Sequence, residues 1–400
     1  MNSGGPPPDV DDSATVLAEL RREARRLGFG RLGVASADPA RRPPFIHEGF
    51  RRWLDAGLAG ATEPWLREHE PLRRDVRPLL EGTRSVIMLA TDHATTTDST
   101  ETAGRGRVAR YAWGDDYHDV LRSRINDLGA WLEARLPGCR TRGFVDSVPF
   151  PEREYGWLAG LGWIGKNTLL IDPEAGSFFL LTVLLATADL PPDVPLAVDH
   201  CGSCTACLDA CPTQALIAPR VLDAARCVSA LTIEDHGPVS ADLRAGLGDW
   251  LFGCDVCQQV CPWNRHAPGS DEPEFQPRES AALDLADLLA LDESRFRERF
   301  RGTPPWRAKR RGLLRSAAIV LGNRPHAASL EALVSAAADD DAVVRGAAAW
   351  ALGRWILAGI RADRCRAALH ARREVESDEA VRREVDQAIG RGEVRPEAAG

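Results

Sequence analysis

No apolar run in the 400 residues approaches the roughly 20 residues that a membrane-spanning helix needs, so a helical membrane protein is not expected. Basic charge is not in excess: 50 Lys and Arg against 58 Asp and Glu leave a net charge of −8. That balance gives no global electrostatic footprint for nucleic acid and leaves room only for a local basic patch. The N-terminus has neither an apolar signal core nor a twin-arginine signal, since Arg21-Arg22 and Arg25-Arg26 fall inside a helical pattern. A cytoplasmic protein is the expectation. Nucleotide fingerprints are missing too. Gly156-x3-Gly160-x-Gly162-x2-Gly165-Lys166 is followed by Asn167 rather than Ser or Thr, and its spacing is not that of a dinucleotide-binding turn. What remains is ordinary for a soluble globular chain: 44% hydrophobic and 27% charged residues, enough for two or three cored domains. Residues 1–13, rich in Gly, Pro and Asp, read as a disordered tail.

Cysteine is plentiful and ordered. Eight of the ten fall into Cys201-x2-Cys204-x2-Cys207-x3-Cys211-Pro212, then Cys227, then Cys254-x2-Cys257-x3-Cys261-Pro262. The first block is the bacterial ferredoxin run, in which the fourth Cys crosses to the other cluster. The second block has Leu251 where its first Cys belongs, and Cys227 can replace it. Two 4Fe–4S clusters follow, one on Cys201, Cys204, Cys207 and Cys261, the other on Cys211, Cys227, Cys254 and Cys257. Two zinc sites are the alternative, but structural zinc motifs seldom end in x3-Cys-Pro. A disulfide framework belongs to small secreted domains. Cys139 and Cys365 are left over as buried structural thiols. The chain reads as an electron conduit.

Three segments emerge. Residues 14–195 alternate helices and strands: an amphipathic helix over Ala14–Leu27, strands at Arg31–Ala35, Ser85–Ala90, Phe144–Val148 and Phe178–Leu185, and a long helix over Tyr117–Leu136. Ala94–Gly106 reads as a mobile loop. Residues 196–270 hold the cysteines. Residues 271–400 are helical and repetitive: Leu321-Gly322, Leu352-Gly353 and Ile389-Gly390 are each expected to close a helix, with small residues such as Ala347-Ala348-Ala349 letting helices approach. A short solenoid of the HEAT type fits. The overall class is α+β and multidomain.

Two stretches invite chemistry. Phe144-Val-Asp146-Ser147-Val-Pro149 places an acid at a strand end, suited to proton donation if burial raises its pKa; capping the next turn is the plainer reading. Arg307, Lys309, Arg310, Arg311 and Arg315 open the first helical repeat, as a solvated face or as phosphate contacts. The corrinoid motif Asp-x-His-x2-Gly is broken at Asp116-x-His118-x2-Leu121.

A longer series is collinear from about residue 14 to 390: Arg110-Tyr-Ala-Trp-Gly-Asp-Asp-Tyr117-His118, Phe-Val-Asp146-Ser, Gly162-Trp-Ile-Gly-Lys166-Asn167-Thr168, Gly176-Ser177-Phe-Phe, Cys227-Val-Ser229, Gly253-Cys254-Asp255-x-Cys257-Gln, and Cys261-Pro-Trp-Asn264. In these marks the chain resembles the epoxyqueuosine reductase family. The resemblance implies an α/β domain that binds one cobalamin without a protein ligand below cobalt, a domain of two 4Fe–4S clusters, and a HEAT-like tail. It implies reduction of epoxyqueuosine to queuosine at the tRNA wobble position, with Asp146 as proton donor. Around the corrin it places Arg73, Arg153, Lys166, Asn167, Thr168, Leu170, Gly176, Ser177 and Leu181, with Ser229 and Asp255 facing it from the cluster side. It implies docking of the tRNA anticodon arm on the basic start of the tail, an external low-potential electron donor, and a monomer. Val76 and Thr91-Asp92-His93 depart from the residues usual in the family. A reductive dehalogenase shares the corrinoid and paired-cluster logic but is usually exported behind a twin-arginine signal. A non-catalytic ferredoxin-like electron carrier is the other rival, and it leaves Asp146 and Lys166-Asn167 without a role.

Overall fold

The computed structural model describes residues 10–94, 102–278 and 281–391. The first helix spans Val10–Arg26, so it begins inside the expected tail; residues 1–9 of that tail lie outside the described residues. Its apolar stripe of Val16, Leu17, Leu20 and Ala24 is buried with Leu121, Ile125, Leu128 and Leu132 of the helix Tyr117–Arg135, as periods of three and four residues require.

These helices cover one face of a four-stranded sheet ordered Arg31–Ser36, Ser85–Asp92, Phe179–Ala186 and Thr141–Phe144. Every pairing in it is antiparallel. The two middle strands are buried along almost their whole length, because the other face packs Ala35, Val86, Met88 and Val183 against Phe150, Tyr155 and Leu158. The strand expected at Phe144–Val148 is displaced to Thr141–Phe144, which leaves Asp146 beyond the ladder at φ +41°. Of the expected loop Ala94–Gly106, residues 95–101 lie outside the described residues, and Arg105–Val108 is a strand.

That strand joins a second sheet, between Trp250–Phe252 in the cysteine segment and Ala282–Asp284 before the helical tail. One short sheet thus draws a strand from each of the three sequence segments. In the tail, helix Ala342–Leu357 packs between Lys309–Asn323 and Glu379–Arg391, with Leu330–Ala336 and Ala362–Val375 beside it. The small residues act as expected: a Cβ at Gly322 would stand 2.4 Å from Trp350, and one at Gly353 2.8 Å from Ala388. Leu352-Gly353 does not close its helix, which continues to Leu357.

Candidate functional site

Four of the eight patterned cysteines share a cavity. Cys201, Cys204, Cys207 and Cys261 line one cavity of about 240 Å³, so the last Cys of the second run crosses to the first. Of the other four, Cys254 interacts with Cys227 and Cys211, and Cys257 with Cys254 and Cys227 and also with Cys207 of the first group. Four thiols spread round a cavity of that size suit a cube of iron and sulfur better than one zinc ion, which draws sulfur to about 2.3 Å. Burial pushes the Cys254 thiol up to about 12 and the Cys257 thiol well above its ordinary value, so iron must supply the driving force for deprotonation. Of the two spare cysteines, Cys365 is buried and Cys139 is half-buried.

Lys166 Nζ donates to the carbonyls of Gly202 (2.6 Å) and Cys204 (2.9 Å) and so closes the first cluster loop. Several residues expected around a corrin dock the cluster segment onto the first sheet with their side chains. Asn167, buried, accepts from the Leu169 N–H and reaches the Cys257 carbonyl. Ser177 Oγ accepts from Asn264 Nδ2 (3.0 Å) and Gln258 Nε2 (3.2 Å), and the Ser177 N–H donates to Asn264 Oδ1 (2.6 Å). Gly176 has φ +70°, and a Cβ there would lie 2.0 Å from Asn264 Oδ1, so only glycine allows this approach. Leu170 is buried against Gly156, and Leu181 packs partly buried on the same core. These residues therefore have backbone rather than side-chain groups to offer a ligand. Asn264 and Gln258, already marked in the collinear series, act as dockers, a role their local pattern does not show.

A polar site gathers around Asp146. Asp146 stands in the left-handed region that disfavours a side chain, a strain that accumulates at functional turns. Its Oδ2 accepts from Tyr117 Oη at 3.1 Å and lies 3.9 Å from His118 Nε2. Glu152, six residues on, is pushed up to about 8 by burial and then by the Asp146 charge. Its Oε1 is buried without a hydrogen-bond partner. Arg73, partly buried, donates to the Phe150 carbonyl (3.3 Å) and lies over the Phe50 ring, within electrostatic reach of Glu152 and Arg153. Arg153 donates to the Thr168 carbonyl (2.8 Å) and influences Cys227. Ser229 is half-buried on the helix Val228–Ile233 that follows Cys227. Asp255 is buried, accepts from the Arg110 N–H at 2.8 Å, and is pushed up to about 6 by burial.

The helical tail reaches this site through one arginine. Arg307 pairs with Glu234 at 2.8 Å and is held up by that bond, with a further contribution from Asp146. Its basic neighbours are arranged differently. Lys309 is exposed, with its ammonium over the Trp306 ring. Arg311 is exposed and bonds Asp341 (2.6 Å). Arg310 is mostly buried, bonded to Asp339 and the Leu291 carbonyl. Arg315 corrects the sequence expectation: it is 0% exposed and donates to the carbonyls of Leu231 (2.5 Å), Asp235 (2.7 Å) and Gly237 (2.6 Å). Its guanidinium clamps the cluster segment to the tail and cannot meet a phosphate.

Comparison with known proteins places this geometry. A "4Fe-4S double cluster binding domain" model matches residues 200–264, and one described as "Epoxyqueuosine reductase QueG, DUF1730" matches residues 73–147. The epoxyqueuosine reductase of Xanthomonas campestris is 42% identical over 356 residues, covering 87% of this chain and 97% of that protein. The chain belongs to the epoxyqueuosine reductase family. The Pseudomonas aeruginosa member is 39% identical over 350 residues, covering 86% of this chain and 95% of its own. A crystal structure of an epoxyqueuosine reductase with an epoxyqueuosine-modified tRNA-Tyr stem loop superposes with a TM-score of 0.87 at 31% identity, covering 96% of this chain and 100% of that one. The family's oxidoreductase chemistry fits the double-cluster cysteine segment.

Proposed function

We propose that the chain reduces epoxyqueuosine to queuosine at the wobble position of tRNA, drawing electrons from an external low-potential donor through its two clusters. The observation that carries the reading is a juxtaposition. Asp146 acts on Glu152, and the next residue, Arg153, acts on Cys227, so the acid pair and the second cysteine group lie within electrostatic reach of one short stretch. A cofactor between them would meet a proton source and an electron source at once.

The residues present fit a cobalamin there. The orphaned Glu152 Oε1, the partly buried Arg73 and the half-buried Lys166, Thr168 and Leu169 positions offer polar groups to a large amphipathic ligand. Arg73, Arg153, Thr168, Ser229 and Asp255 would complete the holding set. When bound, cobalamin supplies a low-potential cobalt centre for reducing the epoxide. The two cysteine groups would hold clusters able to supply single electrons within a span of about −700 to +450 mV. Asp146 protonates the oxygen released from the ring, because an alkoxide is a poor leaving group. Tyr117 orients that carboxyl through its hydroxyl.

In this reading residues 14–195 form the corrin-binding domain, 196–270 the cluster domain and 271–400 a HEAT-like solenoid. The alternating rows of tail helices and the close approaches at Gly322 and Gly353 support the last. Arg307, Lys309 and Arg311 then face the anticodon arm. No described helix is long and apolar enough to cross a membrane. We place the protein in the cytoplasm as a monomer. The test is anaerobic incubation of the reconstituted protein with epoxyqueuosine-containing tRNA and a low-potential reductant, read as nucleoside mass. Cobalamin-dependent loss of one oxygen supports the reading. An unchanged nucleoside, with clusters and cobalamin verified, overturns it. Asp146→Asn should keep both cofactors and lower turnover by about 10²–10⁴-fold.

A further inference from the structure

Converting an epoxide to an alkene breaks two carbon–oxygen bonds, forms a carbon–carbon double bond and releases one water. It consumes two electrons and two protons. The electrons come one at a time from the external low-potential donor through the clusters. Asp146 holds one proton, so after protonating the first oxygen it must be reloaded before the same oxygen departs as water.

We propose that His118, held by Asp116, is the proton relay that reloads Asp146; this rests on the reductase reading above. Asp116 caps the helix Tyr117–Arg135 by accepting from the His118 N–H (3.0 Å), and the same Oδ1 accepts from His118 Nδ1 at 2.7 Å. One carboxylate thus fixes the ring's place and its tautomer, with the proton on Nδ1 and Nε2 left to exchange. Nε2 faces Asp146 Oδ2 across 3.9 Å. A closure of about 1 Å makes a hydrogen bond, and Asp146 sits on a strained turn with its side chain 67% exposed. The imidazole is 30% exposed and stacks on the Tyr117 ring at 4.0 Å, so solvent protons reach Nε2 while the ring stays aimed. The imidazolium passes its Nε2 proton to the Asp146 carboxylate, and the neutral ring takes another from water at the same nitrogen. The charged or titratable groups facing this pair are Asp116, Tyr117, Tyr111, Glu152 and, through their influence on Asp116 and from Asp146, Arg122 and Arg307. Asp116 acts through His118 and is a positioning residue.

The experiment compares wild type, His118→Ala and Asp116→Asn, each with clusters and cobalamin quantified and stem-loop affinity measured. His118→Ala should retain cofactors and RNA affinity, keep KM, and lose at least about tenfold in kcat. Added imidazole should restore part of that loss, following the imidazolium fraction across pH. An unchanged kcat overturns the relay, and so does a loss that imidazole does not answer. A second readout does not depend on turnover: nitrogen-15 NMR of labelled histidine should show that the neutral form of the His118 ring carries its proton on Nδ1, a bias weakened in Asp116→Asn. The opposite tautomer in wild type overturns the relay. Wild type that binds cofactors and RNA yet leaves epoxyqueuosine intact counts against the reductase reading, and the NMR result still decides whether His118 is poised.

Discussion

Arg315→Ala tests whether a sequence-basic residue serves structure rather than RNA. The wild-type guanidinium is fully buried and donates to three carbonyls in the segment that leaves the second cluster, those of Leu231, Asp235 and Gly237. Burial lowers its pKa to about 10, so it remains charged at neutral pH. Hydrogen bonds from a charged donor contribute about 1.5–3 kcal/mol each, so three give a gross loss of about 4.5–9 kcal/mol on truncation. Relief from burying the cation offsets several kcal/mol. A net loss of about 3 kcal/mol follows, which for a cooperative unit of this size lowers Tm by about 3–4 °C. Arg315→Lys should fall between, because one ammonium cannot span three carbonyls as a planar fork does. The assay is anaerobic calorimetry of protein with verified iron content, paired with stem-loop binding at low temperature. An unchanged Tm with weakened RNA binding would falsify the clamp and return Arg315 to the RNA surface.

Cys227→Ser should leave the first cluster intact and lose the second, so iron falls from about eight toward about four per chain; retention of both clusters in electron paramagnetic resonance and iron analysis would remove Cys227 from the ligand set. Lys309→Ala with Arg311→Ala should weaken stem-loop binding and reduce its salt slope by about one for each phosphate no longer neutralised, an effect absent if both are a solvated face. Glu152 gives a pH prediction. Its carboxyl rises from 4.5 to about 8, so the folded state holds a proton that the unfolded chain releases. Its contribution to stability is present below the unfolded value and is lost as pH rises through the folded one. Glu152→Gln should therefore flatten the decline in melting temperature from about pH 5 to 8, and an identical decline in both proteins would remove Glu152 as its source.

Some of this protein is written in local order. Cys201-x2-Cys204-x2-Cys207 names a cluster because two-residue gaps wrap thiolates on one short turn, whatever surrounds them. The helix Tyr117–Arg135 and the buried middle strands follow from apolar spacing, and the small residues around Gly322 and Gly353 announce close helix packing. Tertiary structure decided the rest. That Cys261 joins Cys201, Cys204 and Cys207 is visible only where distant loops converge on one cavity. The strand before Asp146 ends early because antiparallel pairing with Phe179–Ala186 stops at Phe144, and that places the acid on a strained turn. Arg307 and Arg315 look alike in sequence, yet one sits at the site and the other inside the protein. Their fates differ because burial and partner carbonyls come from residues about 80 positions away for Arg315, and composition carries no record of such distances. Sequence by itself determined which chemistries were available; the packing of three segments on one another decided which side chains face each other to use them.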